Sequence, residues 1–137
     1  MIFLDTNVVS EIMRPEPELT VLEWLKRHDD QLALSTIAIA EISFGIERIR
    51  PAERSHRLER TFKSLQARFE NRVYEFDKVS ALAYGDFCGL RKRTGDPVAI
   101  ADGMIAAVAL RHKAQLATRN TKHFLKSGLT LINPWTD

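Results

Sequence analysis

Cysteine occurs once in the 137 residues, at Cys88. No internal disulfide can form, so the core must hold the fold, and a reducing compartment is compatible with the chain. Cys88 reads as a small core residue rather than a nucleophile. No apolar run approaches the roughly 18 residues of a membrane span. The N-terminus lacks a basic leader with a cleavage site, so no signal peptide is expected and the cytoplasm is the expected location. Clusters of Cys and His that would hold zinc are missing. So are the glycine-rich Walker and dinucleotide motifs and the Gly-x-Ser-x-Gly elbow of serine hydrolases. A dominant charge is missing too. The 20 basic and 18 acidic residues leave a net charge of +2, which names no partner by itself; distribution matters more.

What is present is a patterned core. Hydrophobic residues make up 45% and charged residues 28%, which excludes disorder and suits one globular domain over 1–137. Repeats, low-complexity segments and linkers are absent. Met1-Ile2-Phe3-Leu4 reads as a strand buried on both faces, the habit of parallel sheets. A short helix from Val8 to Met13, capped by Thr6 or Asn7, ends at Arg14-Pro15-Glu16-Pro17. Leu19, Leu22, Trp24 and Leu25 mark an amphipathic helix, and Gln31 to Leu34 a second strand. Ser35-Thr36 can cap a third helix with the stripe Ile39, Ile42, Ile46 and Ile49. Helices are expected at 52–68 and 79–92, an apolar helix at 98–110, and strands at 73–76, 115–118 and 129–132. Strands alternating with helices imply an α/β fold with a central parallel sheet of four to five strands between helical layers.

Three acids stand out. Asp5 falls at the carboxyl end of the first strand, where open α/β sheets bind ligands. Glu41 lies in the second turn of the third helix, with Ala38 and Gly45 on its own face. It is either a margin residue whose stem covers apolar surface or a member of a site. Asp102 sits in the run Val98-Ala99-Ile100-Ala101-Asp102-Gly103-Met104-Ile105-Ala106-Ala107-Val108-Ala109-Leu110. A buried carboxylate there needs a partner or a metal; alternatively the helix begins near Ala101 and Asp102 favours its positive end. Three acids from separate elements near strand ends suit a hard divalent cation, Mg²⁺ or Mn²⁺, which relieves their mutual repulsion.

The motifs Phe3-Leu4-Asp5-Thr6-Asn7, Ile39-Ala40-Glu41-Ile42 with Gly45, Asp102-Gly103-Met104-Ile105-Ala106-Ala107-Val108-Ala109, and Ala117-Thr118-Arg119-Asn120 followed by Phe124 span nearly the whole chain. Together they resemble the PIN-domain ribonuclease toxins of the VapC family, including its FitB-like members. The resemblance implies a three-layer PIN-like α/β/α domain that hydrolyses RNA with Mg²⁺ or Mn²⁺ and leaves a 5′-phosphate and a 3′-hydroxyl. It implies Asp5, Glu41 and Asp102 as catalytic metal ligands. It also implies a homodimer, a cognate VapB-like antitoxin and a higher-order toxin–antitoxin complex. The family often has a fourth acid in the last motif. Here Asn120 and His123 occupy the candidate positions, so a one-metal site is expected, with Asn120 completing the catalytic set. Thr6, Thr118 and Arg119 are the candidate substrate-binding residues, and His123 reads as a surface residue.

Basic residues crowd 48–72, interleaved with Glu47, Glu53, Glu59 and Glu70, and read as a solvated mixed-charge face as readily as an RNA contact. Arg91-Lys92-Arg93 and Arg119-Asn120-Thr121-Lys122 adjoin site loops and are the better RNA candidates. The stripe Leu58, Phe62, Leu65 and Phe69 reads as core, and Trp24 and Trp135 as packing residues. Two other readings remain. A haloacid-dehalogenase-type phosphatase also places Asp after its first strand but needs an acid where Asn7 stands. A non-catalytic PIN-like domain that binds a partner keeps the fold without the chemistry.

Overall fold

A computed structural model describes all residues 1–137. The strands are β1 (Ile2–Leu4), β2 (Leu32–Ser35), β3 (Val73–Tyr74), β4 (Gln115–Ala117) and β5 (Leu131–Ile132). The helices are α1 (Thr6–Ile12), α2 (Leu19–Arg27), α3 (Thr36–Arg48), α4 (Glu53–Arg68), α5 (Lys78–Arg93) and α6 (Ile100–Arg111). Short 3₁₀ turns cover Asp29–Gln31 and Thr121–Phe124. All strand pairings are parallel, in the order β3-β2-β1-β4-β5.

β1 therefore lies at the centre, and its apolar run is explained by two cores. Alternate side chains of a strand point to opposite faces. Ile2 and Leu4 enter a core shared with α1 to α4, through Val8, Val9, Trp24, Ile42, Ile46, Phe62, Leu65 and Phe69. Phe3 enters the other core, with Phe87 of α5, Ile105, Ala106, Val108 and Ala109 of α6, and Phe124. A strand clothed on both faces cannot alternate polar and apolar residues. The chain steps outward from β1 through β2 to β3, then returns to β4 on the opposite side of β1. That reversal puts a switch point at the carboxyl ends of β1 and β4, where crevices form in open α/β sheets.

Several boundaries differ from the sequence reading. α1 begins at Thr6, and its cap is Asp5 rather than Thr6 or Asn7. α6 begins at Ile100, which is exposed, so its first turn is not buried all round and Asp102 lies in that turn. The uniformly apolar composition hid where the helix starts. On α5, Leu82 and Leu90 face solvent while Phe87 is buried. Phe62, Leu65, Phe69 and Trp24 are core, as their spacing indicated.

α5 and α6 pack closely because Gly103 has no side chain. A Cβ there would lie 2.5 Å from Cys88 Sγ and 2.9 Å from Tyr84 Cε2. Burial pushes the Cys88 thiol pKa up, so it stays protonated and serves as packing. Gly103→Ala is expected to destabilise the protein by about 1–3 kcal/mol through overpacking, despite alanine's better helix propensity. Chemical denaturation checks this, and adding Cys88→Ala to Gly103→Ala should recover part of the loss.

Candidate active site

Asp5 leaves β1 in an extended conformation (φ −66°, ψ 157°) and caps α1 by accepting from the Thr6 backbone N–H at 2.8 Å. Its second oxygen accepts from Thr118 Oγ1 at 2.7 Å and from Asn7 Nδ2 at 3.1 Å. Thr118 stands just past β4, and its hydroxyl oxygen also accepts from the Asn120 backbone N–H at 3.1 Å. Asn7 Oδ1 in turn accepts from the Arg119 backbone N–H at 3.3 Å. The ends of the two central strands are thus tied together across 113 residues of sequence through one carboxylate. The Asp5 backbone N–H continues the ladder by donating to the Ala117 carbonyl at 2.9 Å.

Asp5 is only 4% exposed. Burial raises its pKa to about 6, and the negative charges of Asp102 and Glu41 push the same way. The bonds from Thr118 and Thr6 pull it down without offsetting the rise. The carboxyl group therefore sits in a place that disfavours its own charge.

Glu41 reaches the same cleft from α3. The Thr6 hydroxyl donates to its Oε1 at 2.5 Å, so its carboxylate faces the cleft beside the helix that Asp5 caps rather than only covering apolar surface. Ser35 starts α3 by accepting from the Ala38 N–H at 3.2 Å, which places Glu41 one turn above the end of β2. Asp102 comes from the first turn of α6, is 25% exposed, and meets His123 Nδ1 at 3.2 Å. That position agrees with the reading in which a carboxylate favours the helix N-terminus; the deeply buried acid of the other reading is not what forms.

The three acids line one cleft of about 460 Å³ together with Thr6, Asn7, Arg119, Asn120, His123 and Trp135. Each of the three is engaged by hydroxyl, amide or imidazole donors, and no three Asp, Glu, His or Cys side chains converge on a common ligating point. None of the three pairs with Lys or Arg; Arg14, the other cleft-lining cation beside Arg119, pairs with Glu11 at 3.0 Å. An oxygen-only donor set with uncompensated negative charge, one member of it buried and raised in pKa, suits a hard divalent cation. The residues that could hold it are Asp5, Glu41 and Asp102, with the Asn120 amide beside them.

Some expectations need correction. Arg91 does not face RNA: it is 2% exposed and clamps the neighbouring loops. Its Nε donates to the Asp96 carbonyl, its Nη1 to the carbonyls of His123 and Leu125, and its Nη2 to the Asp96 carboxylate, each at 2.9 Å. It thereby fixes the turn that carries His123 toward Asp102. Arg50 pairs with Glu47 and Glu59, Arg68 with Asp29, and Arg72 donates to the carbonyls of Asp29 and Leu32, so these cations of the basic stretch serve the fold. His123 is exposed as expected, yet it contacts a site acid.

Sequence reasoning missed three features. Asn7 is the bridge between the two strand ends. Glu11 is buried and fastens the following loop through Arg14 and the Glu18 N–H at 3.0 Å. Trp135 reaches the cleft from the last turn of the chain. An Asx residue two positions after a strand-end Asp could have flagged the first, since such amides bond nearby backbone groups. Nothing local marks the other two.

A crevice at the switch point of a short parallel sheet, lined by acids from β1, α3 and α6, is the architecture of a PIN domain. The PIN domain family model matches residues 2–127, and the chain belongs to that family. Within it the chain stands beside the FitB and VapC proteins. It is 37% identical to Toxin FitB of Neisseria gonorrhoeae over 139 residues, covering 100% of both chains. It is 39% identical to VapC ribonuclease Y4jK of Sinorhizobium fredii over 140 residues, covering 98% of each. Plasmid stability protein StbB of Pseudomonas syringae pv. tomato is 42% identical over 137 residues, covering 98% of this chain and 99% of that one. Among solved structures, the crystal structure of FitAcB from Neisseria gonorrhoeae superposes with a TM-score of 0.90 at 36% identity, over 100% of both chains. The structure of VapBC-1 from nontypeable Haemophilus influenzae gives a TM-score of 0.82 at 27% identity, over 99% of this chain and 100% of that one.

Proposed function

We propose that this protein is the toxin of a FitAB- or VapBC-type toxin–antitoxin system and acts as a Mg²⁺- or Mn²⁺-dependent endoribonuclease in the cytoplasm. The observation that carries this reading is the meeting of Asp5, Glu41 and Asp102 in one cleft with no Lys or Arg neutralising them. The names of its relatives, ribonuclease and toxin, support the same reading. Asp5, Glu41 and Asp102 would hold the cation. When bound, such an ion activates a water and stabilises charge on the phosphate oxygens.

The chain's own residues prepare that chemistry. Thr118, Asn7 and the Thr6 N–H fix both oxygens of Asp5, so its lone pairs toward the cleft are oriented before substrate arrives. Thr6 does the same for Glu41, and His123 for Asp102. The Asn120 amide lines the same cleft and would orient the attacking water without adding charge. Attack at the scissile phosphate releases the 3′-hydroxyl of one fragment and leaves a 5′-phosphate on the other.

Beside the cleft a groove lined by Ser10, Met13, Ile42, Gly45, Ile46 and Leu58 shares Thr6 and Glu41 with it, and space is open above Gly45. This groove suits an apolar segment of the antitoxin, whose binding would block the acids. Exposed Val79, Leu82 and Leu90 on one side of α5 suit a homodimer contact. No helix is long and apolar enough to cross a membrane. The test is brief induction in a bacterial host followed by mapping of RNA ends. New 5′-phosphate ends are expected with the wild-type protein, absent with Asp5→Asn and with a co-expressed antitoxin. Identical ends from wild type and Asp5→Asn overturn the reading.

A further inference from the structure

Arg119 is exposed at the cleft, and its guanidinium has neither a carboxylate partner nor a hydrogen-bond acceptor. It lies instead over the Trp135 ring, in cation–π contact with Cζ 4.9 Å from the centroid. The acids around it are engaged elsewhere: Glu11 with Arg14, Glu41 with Thr6, Asp102 with His123, and Asp5 with Thr118 and Asn7. Its backbone N–H donates to Asn7 Oδ1 at 3.3 Å, and the other end of that Asn7 amide touches Asp5. The arginine is therefore anchored one side chain away from the catalytic carboxylate.

Trp135 is itself held in place. Its backbone N–H donates to Asn133 Oδ1 at 2.9 Å, the Asn133 backbone N–H donates to Asp137 Oδ2 at 2.7 Å, and the Asp137 backbone N–H returns to the Asn133 carbonyl at 2.8 Å, while the indole N–H is buried without a partner. The indole also packs against the core that holds Ile2 and Leu4. The ring contact uses none of the guanidinium N–H donors, which have no acceptor within the protein. Those donors match the paired oxygens of a phosphate.

We propose that Arg119, held over the Trp135 ring, grips the phosphodiester of single-stranded RNA next to the scissile bond, and that Trp135 is the positioning residue that pre-orders the grip. This rests on the nuclease reading above. An uncompensated guanidinium is also what an RNA strand needs in a cleft whose other charges repel it. Trp135 lowers the entropy lost when the arginine binds, as preorganised groups do.

The proposal is tested with a fluorescein-labelled 12-nucleotide RNA of mixed sequence, by anisotropy in EDTA across a range of KCl. Arg119→Ala is expected to weaken binding about tenfold, in line with loss of a charge-assisted hydrogen-bonded pair. It should also reduce the slope of log K against log[salt] by about 0.7, the value for one phosphate contact on a single strand. Arg119→Lys should restore the slope but only part of the affinity. Trp135→Leu should weaken binding several-fold with the slope unchanged, and Trp135→Phe should stay close to wild type. In cleavage assays with Mn²⁺ the Arg119→Ala loss should fall in KM rather than kcat. Wild-type affinity, slope and KM in Arg119→Ala overturn the grip, and a Trp135→Leu protein that binds like wild type overturns the role of the ring contact. If RNA is cleaved by wild type while Arg119→Ala matches it, only the grip fails. If wild type neither binds nor cleaves RNA, the nuclease reading fails with it.

Discussion

On the proposed function, Asp5→Asn and Asp102→Asn are each expected to lower Mg²⁺- or Mn²⁺-dependent RNA cleavage by about 10³-fold or more, since each removes a charge that would hold the cation. The two losses have different structural contexts. Asn at position 5 keeps an oxygen for the Thr6 N–H or for Thr118, so helix α1 stays capped while the charge is gone. Asp102 lies in the first turn of α6 with only His123 on it, so its replacement removes charge from a part-exposed place and leaves the core intact. Asn120→Ala should cost only about tenfold, because an amide that orients a water contributes less than a charge. Steady-state cleavage of a labelled RNA by purified proteins checks all three. Activity within tenfold of wild type in either Asp variant would place the chemistry elsewhere.

Stability should report the same carboxylate without any substrate. The Asp5 pKa of about 6 lies above its ordinary 3.8, chiefly through burial. A carboxyl whose pKa rises on folding binds its proton more tightly in the folded state. Its contribution to stability is therefore fully present below about pH 3.8 and is lost as pH rises through about 6. For a buried group a shift of this size is worth up to about 3 kcal/mol. In EDTA at pH 7.5, Asp5→Asn should thus be more stable than wild type, by about 1–2 kcal/mol once imperfect hydrogen bonding of the new amide to Thr118 and Asn7 is allowed for. The gap should close toward pH 4.5. Adding Mn²⁺ at pH 7.5 should reverse the order, because a ligand that binds only the folded state stabilises it by mass action. The apparent affinity for Mn²⁺ should fall below pH 6 as protons compete for Asp5. Thermal unfolding with and without Mn²⁺ at pH 4.5 and 7.5 reads every part of this. A wild-type protein that Mn²⁺ leaves unchanged while Asp5→Asn is less stable in EDTA would remove Asp5 from the metal set.

The fold was legible where a single periodicity dominates. The unbroken apolar run of β1 announced a central parallel strand, and the spacing of Phe62, Leu65 and Phe69 announced the buried side of α4. Boundaries were legible only where a side chain marks them. Ser35 marked the start of α3, whereas the apolar run 98–110 carried no mark, and the exposure of Ile100 could not be read from its type. Within the site, Asp5, Glu41 and Asp102 were recognisable because acids stand out among apolar or small neighbours, and the structure brings all three into one cleft. The roles of Arg91 and Asn7 depend on contacts 32 to 112 residues away, which no local pattern records. Cations look alike in sequence whether they meet solvent, a carboxylate or a carbonyl.

The placement of the first strand in the middle of the sheet has a consequence for how the protein comes into being. β1 is synthesised first, but one of its two neighbours, β4, begins at Gln115, and Thr118 follows it. A nascent chain on the ribosome carries Asp5 long before it gains the acid at position 102, the hydroxyl of Thr118 that orients Asp5 and the tryptophan at position 135. The sheet cannot close around β1 earlier, and pairings this distant in sequence are slow to form. A chain translated only as far as β3 has no assembled cleft, so a cell translating this message meets the complete cleft only after β4 and the segment that carries Trp135 have emerged.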